Sequence, residues 1–534
     1  MIATIVASAV IAASPTPSPT VPGAGIFSSS LLLSLTIWVP VLSAAVIGVL
    51  PNPRGRFDQL MKQIAFFTNL GLVFVLFVAY NQFQNFLPTM QYEEKVPWLP
   101  TIGATYHLGV DGPGMVMLVL SGLIGIASVL ASLGIRERVR SYFCLLLLTQ
   151  ACINGAIAAR DMFVLNLFWG AAAIPIALLV LGWGGPRREA AAWRLVGYWG
   201  LGLAALLVAT MTLYAATGGS TFDIDVLIKT TISPRIQLAV GAALIVAAAT
   251  RLPLFPLHGW VRDVYGEAPV GVAVVVAGSA SRLGALLLLR LLVGAEPAAA
   301  QLLSPLVSAL AALTVGYAGL AVLRAGDLRH ASAYLAMVPG GITVLGLAAL
   351  TPLSIAGSVL SLFTGGLAAA LIVGVCTTLS DRAQSRSLQV LSGLAPRMPK
   401  LTWLLLFGAL GLLGVPLMAS YLAETMTFFG AFKHQPVGSF AVAAGLAVTA
   451  VGLAVVLHRV LFGSPNPDAP GVSDASLGET WYLALLAGGL LWVGVFPGGP
   501  KLPGTEVPLF DPGLVNTMAA GLPDLASPYT GPTR

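Results

Sequence analysis

Long runs of Ala, Val, Leu, Ile and Gly, separated by short polar joints, set the pattern of this chain. The runs show neither the alternation of a half-buried strand nor the one-sided stripe of a surface helix. They are apolar all round, as helices in lipid are. About 20 such residues cross the ~30 Å hydrocarbon layer as a helix. By that measure the chain after residue 29 divides into about fourteen spans, from 30–50 to 480–497.

Two of these predicted helices contain breakers. The seventh, 236–257, ends in TRLPLFPLHGW with Pro253 and Pro256. The twelfth, 402–432, contains LLGVPLMASYLAE with Gly414 and Pro416. Proline removes a backbone donor and clashes with the preceding turn. Irregular backbone at membrane depth survives only inside protein or beside a wet cavity. Interrupted spans in corresponding positions, here five apart, point to an inverted-repeat transporter with its ion path near the breaks.

Composition sharpens this picture. Of 534 residues, 57% are hydrophobic and 9% charged, against about 25% charged in a soluble domain. With a mean hydropathy of +0.89, the chain is a polytopic membrane protein. The net charge of +6 is then no nucleic-acid signal, because the basic residues alternate by loop. Of 27 Lys and Arg, seventeen fall on one set of alternating loops, seven on the other, and three, Arg251, Arg282 and Arg290, lie within spans. The positive-inside rule then puts both termini on the periplasmic or exterior face of a bacterial inner membrane or a related energy-transducing membrane. Residues 1–29 read as a leader. The apolar IATIVASAVIAAS before a Pro/Ser/Thr-rich stretch leaves a signal peptide, a short membrane segment and an unstructured leader all open. Cys144, Cys152 and Cys376 sit in apolar runs without metal or redox spacing, and no cofactor motif is present, so no cofactor or metal is expected.

Several motifs carry a resemblance. RLPLFPLHGWVRDVYGEAP, the WLPTIGATYHLGVDG box, ARDMFVLNLFWGAAAIP, AGSASRLGALLLLR, SGLAPRMPK, SYLAETMTFFGAF and LHRVLFG follow one another in register over roughly residues 30 to 500. They resemble the antiporter-like subunits of respiratory complex I, and most of all subunit M of the NADH–quinone oxidoreductase membrane arm, called D in cyanobacteria and plastids. The resemblance implies an all-α integral membrane fold of about fourteen helices. It divides the chain into N-terminal helices one to three (30–141), a first inverted five-helix repeat (142–293), a second (294–462), and a loop, helix fourteen and tail (463–534). It also implies partner subunits in the membrane arm of a larger complex, in which quinone reduction elsewhere drives proton transport and this chain holds no redox site of its own.

In that family a span-five glutamate pairs with a span-seven lysine, and a span-eight lysine, histidines in spans ten and eleven and a span-twelve Lys or Glu complete a midplane axis. Carried over by position, these fall on Gly170, Arg251, Arg282, Pro339, Gly365 and Glu424. Only the span-twelve acid is kept. A buried lysine can surrender its proton, whereas arginine stays charged. Arg251 and Arg282 are therefore either part of the ion path or structural charges that snorkel or bond broken-helix carbonyls. Glu424 is the ionisable candidate for transport, and His458 is an exit residue or an interfacial histidine. Arg290 is read as an interfacial anchor, and His107 and Asp111 as capping or packing groups. His258, Asp263 and Glu267 are read as fixing loop structure. The function expected is proton transport coupled to quinone reduction. The alternatives are a structural, non-pumping member of the same arm and an Mrp-type cation/proton antiporter subunit.

Overall fold

The computed structural model describes residues 31–52, 55–83, 90–230, 232–463 and 473–496. The expected leader, Arg54 and the tail after 496 lie outside the described residues. The helices are α1 (Leu32–Val49), α2 (Asp58–Gln82), α3 (Gly112–Ala131), α4 (Val139–Ala158), α5 (Met162–Ala171), α6 (Ala173–Trp183) and α7 (Arg188–Ala216). Then come α8 (Pro234–Arg251), α9 (Val261–Glu267), α10 (Val270–Val293) and α11 (Pro297–Leu323). After them follow α12 (Leu328–Leu335), α13 (Val338–Ala349), α14 (Pro352–Arg382), α15 (Pro399–Leu412), α16 (Ala419–Phe432), α17 (Pro436–Leu457) and α18 (Leu477–Val495).

Among the described residues, twelve helical stretches are long and apolar enough to cross a membrane. The two predicted spans that are not among them are the seventh and the twelfth. The former ends early, with α8, and its two prolines lie in the turn that leads to α9; the latter is split into α15 and α16. Two further spans are interrupted, which the sequence reading did not foresee. Span five breaks at Ala172, three residues before Pro175, and span ten breaks at Ala336–Met337, just before Pro339. Proline cannot donate to the carbonyl four residues back, so the ladder opens ahead of each ring.

At the centre, α10 and α14 are buried along their whole spanning windows. Small residues make this possible, since lipid offers no hydrophobic drive and helices associate by close packing. A Cβ on Gly366 of α14 would lie 2.5 Å from the Gly278 carbonyl oxygen of α10, so any side chain there would force the two backbones apart. The α10 ladder is itself irregular, with π-turns at Val276–Ala280 and Leu288–Val293 on either side of Arg282.

One element departs from the all-helical expectation. The stretch before α3 forms an antiparallel hairpin, β1 (Gln91–Leu99) and β2 (Ala104–Val110), with Lys95 opposite His107. Its buried Glu94 accepts from the backbone N–H of Leu33 at 2.7 Å and of Ser34 at 3.1 Å. A carboxylate is favourable there, against the free N–H groups at the start of α1.

His107 is enclosed in this hairpin, with Nε2 2.7 Å from Glu93 and Nδ1 3.2 Å from Asp223. Burial disfavours its charged form, but its bonds to Asp223 and Glu93 outweigh burial and raise its pKa. A raised histidine stabilises the fold fully below its unfolded value of about 6.5 and loses that contribution as pH rises through the folded value. Thermal unfolding should therefore become easier as pH climbs above that range. His107→Gln should flatten that slope, and an unchanged slope would show that His107 does not set it.

Candidate functional site

The break in span seven places Arg251 at the last residue of α8, fully buried. A cation at a helix C-terminus meets the negative end of the helix dipole. Its guanidinium stacks between two buried indoles, with its carbon 3.8 Å from the Trp199 ring centroid and 4.8 Å from that of Trp169. Its Nη2 donates to the Trp169 carbonyl oxygen, while Nε and Nη1 have no partner among the described residues. Among the described residues no carboxylate reaches it. Position 170 follows Trp169 directly, and a Cβ there would sit 2.8 Å from Leu203 Cδ2, so this chain fills the expected acid's place with the neighbour's side chain.

Arg282 repeats the arrangement. It is buried in α10 between the two π-turns, and its Nη2 donates to the Ala336 carbonyl at 3.3 Å. Its Nε and Nη1 also lack partners. Both arginines thus bond a carbonyl beside a helix interruption, Trp169 in the last turn of α5 and Ala336 at the end of α12, where helical carbonyls lose their ladder partners. Among the described residues neither guanidinium meets an acid.

Glu424 lies in the first half of α16, after a break in which Gly414 (φ +58°) and Leu417 (φ +78°) turn the backbone left-handed. The carboxylate folds back on that break, because a Cβ on Gly414 would lie 2.3 Å from Glu424 Oε2. The left-handed turn favours glycine at 414, and a side chain there would push the Glu424 carboxylate aside. Pro339, Gly365 and Glu424, three positions of the expected axis, line one small cavity together with Ser361, Thr364 and Ser420. Spacing in sequence gives no hint of that convergence.

The other candidates separate. Pro253 and Pro256 lie in the loop between α8 and α9, where Phe255 N–H donates to Thr314 Oγ1 at 3.0 Å. His258 packs its ring on Tyr317, 4.4 Å between centroids, and on Phe255. Asp263 pairs with Arg194. Glu267 accepts from Arg386 Nη1 at 2.9 Å and from the Arg187 backbone at 3.2 Å. Burial opposes its charge, but these donors prevail and lower its pKa. His458 is exposed at the π-turn that ends α17, away from the cavity.

Arg290 requires a correction. It turns inward rather than anchoring at an interface, because Asp111 offers a buried carboxylate. Nε and Nη2 bond the two Asp111 oxygens at 3.0 and 2.5 Å, and Nη1 bonds the Ile157 carbonyl. Asp111 also caps α3 through Gly114 N–H at 2.8 Å. The loop charges meet by side. The Arg194, Arg329 and Arg386 side chains, from one loop set, converge on residues 263–267. Lys95 and Arg160, from the other set, meet Asp223 and Asp225. Glu93, His107 and Asp225 bring ligand atoms within 4.8 Å of one another, the one such group among the described residues, but these cations already neutralise the cluster.

Broken helices packed inside a bundle, with charged groups at the breaks, define a membrane protein of the secondary-transporter type. Residues 159–451, more than half of the chain, match the family described as NADH:quinone oxidoreductase/Mrp antiporter, TM. The chain belongs to this family. It is 30% identical over 443 residues to NAD(P)H-quinone oxidoreductase chain 4 of Microcystis aeruginosa, covering 81% of this chain and 79% of the relative. It is 29% identical over 442 residues to the chain 4 protein of a Synechococcus strain, covering 82% and 83%. Its fold matches a chain of respiratory complex I from Thermus thermophilus with bound NADH (TM-score 0.79, 24% identity, 93% of this chain and 100% of that one). It also matches a chain of the Mrp complex from Dietzia sp. (TM-score 0.80, 18% identity, 94% and 98%).

Proposed function

We propose that this chain is the chain-4-type, subunit M-like component of the membrane arm of a proton-translocating NADH–quinone oxidoreductase, and that protons cross through its second half at Glu424. The observation that carries this reading is a carboxylate folded against a helix break beside a small cavity that Ser361, Thr364 and Ser420 also line, in a chain whose relatives are quinone oxidoreductase subunits. An ionisable group inside a membrane is costly and is kept for function. Electron transfer belongs to other subunits. The domain division into helices one to three and two inverted repeats (142–293 and 294–462) goes with this reading, since interruptions fall in spans five and ten as well as seven and twelve. The loop charges support an energy-transducing membrane, such as a bacterial inner membrane, with both termini outside.

A second reading is favoured by one observation. The first half holds an arginine clamped by indoles and a carbonyl where a switchable pair would be needed, as in a scaffold that does not pump there. The two readings combine if the second half carries protons and the first is silent. Likeness to the Mrp chain is one of fold and carries no ion assignment.

Glu424→Gln in the assembled complex, assayed in sealed membrane vesicles, should lower protons moved per electron pair while quinone reduction continues. An unchanged ratio would remove Glu424 from the path.

A further inference from the structure

The cavity beside Glu424 measures about 10 Å³, on the scale of the ~10–15 Å³ that one water occupies by that measure. Most of its wall is apolar, but Ser361, Thr364, Ser420 and Glu424 also line it. Thr364 and Ser420 are 1% and 5% exposed, and neither hydroxyl oxygen has a hydrogen-bond partner among the described residues. Buried hydroxyls are normally satisfied, so two orphans facing one cavity point to a ligand between them. The third hydroxyl can be oriented. Thr343 donates its single proton to the Pro339 carbonyl at 2.8 Å, so in its 2.9 Å contact with Ser361 the proton belongs to serine. Ser361 is therefore left with free lone pairs, and Glu424 lines the same cavity.

We propose that this cavity binds a single water molecule that accepts from the Thr364 and Ser420 hydroxyls and donates to Ser361 and to the Glu424 carboxylate. Four partners match the two donors and two acceptors of one water. The site deepens, and rests on, the reading of Glu424 as the proton carrier. A proton reaching the water passes to the carboxylate and leaves the water as it began. Pro339 and Gly365 contribute by being small. A Cβ on Gly365 would already lie 2.6 Å from the Pro339 Cβ, so a larger side chain at 365 would displace this corner of the cavity.

The test is pH-step infrared difference spectroscopy on the full complex in membranes, in ordinary water and in H₂¹⁸O. Glu424 should give a carboxyl C=O band, absent in Glu424→Gln, together with an ¹⁸O-sensitive O–H band. Thr364→Val and Ser420→Ala should each shift the C=O band upward and remove the O–H band. Thr364→Ser, which keeps the hydroxyl, should restore both. A C=O band unmoved in Thr364→Val and Ser420→Ala overturns the proposal, as does a band that responds to added sodium at fixed pH, which would mark a cation site. The proton ratio of Glu424→Gln tests the transport reading separately, because the infrared bands report the water whether or not protons are pumped.

Discussion

Asp111→Ala should cost the protein about 3–5 kcal/mol, the range for breaking a buried ion pair from one side. The loss would be read as a lower unfolding temperature or failure to accumulate in the membrane. The change strands the Arg290 guanidinium, which has two bonds to Asp111 and one to the Ile157 carbonyl. It also uncaps α3, whose Gly114 N–H bonds the same carboxylate, a further cost of about 1 kcal/mol. Burial alone would raise the Asp111 carboxyl, and the nearby guanidinium overcomes that and lowers it. The charge is thus held by its partner. Asp111→Asn should cost less than Asp111→Ala, because it keeps one acceptor oxygen for the cap or the guanidinium while losing the charge and the second acceptor. Asp111→Ala with Arg290→Met should recover most of the loss, since an apolar replacement of both partners is often neutral or better. If the double variant is no more stable than Asp111→Ala, the cost lies in the cap and not in the stranded cation.

That pair also shows where a single sequence stops being legible. Arg290 and Asp111 lie 179 residues apart, and neither carries a local mark of the other. The breaks are legible because two prolines, Pro253 and Pro256, or a Gly–x–Pro, Gly414 and Pro416, interrupt otherwise apolar runs. The interruptions in spans five and ten are not, although Pro175 and Pro339 are in view. A lone proline inside an apolar membrane span is tolerated, because neighbouring helices satisfy the freed backbone, and what opens the ladder is a kink two or three residues ahead of it. The axis positions were named one by one, but the meeting of Pro339, Gly365 and Glu424 at one cavity depends on how α13, α14 and α16 pack. Nothing in the sequence sets Trp169 and Trp199 apart from the other aromatics in apolar runs. Their role as a clamp follows from Arg251 ending a helix between them, a matter of three-dimensional placement.

Arg251→Met should leave the complex at least as stable as wild type and its proton ratio unchanged. Arginine at this position costs several kcal/mol of desolvation with no acid to offset it. Against this stand two cation–π contacts, each worth about 0.5–2 kcal/mol, and one hydrogen bond from a charged donor, worth about 1.5–3 kcal/mol. The terms nearly balance, so removing the charge with a flexible apolar side chain costs little. A guanidinium cannot release its proton in a protein, so its loss removes no carrier. Arg251→Lys alone should be worse than methionine, because a compact ammonium cannot bond the Trp169 carbonyl and cover both indoles at once. Adding Gly170→Glu supplies the missing acid beside that lysine, at the cost of moving Leu203 from 2.8 Å. If the first half is silent only because its switchable pair is gone, this double variant should raise protons moved per electron pair above wild type. A fall in the ratio for Arg251→Met, with assembly intact, would instead place the clamped cation on the working path. Its positive charge would then be what tunes Glu424 from the other half of the chain.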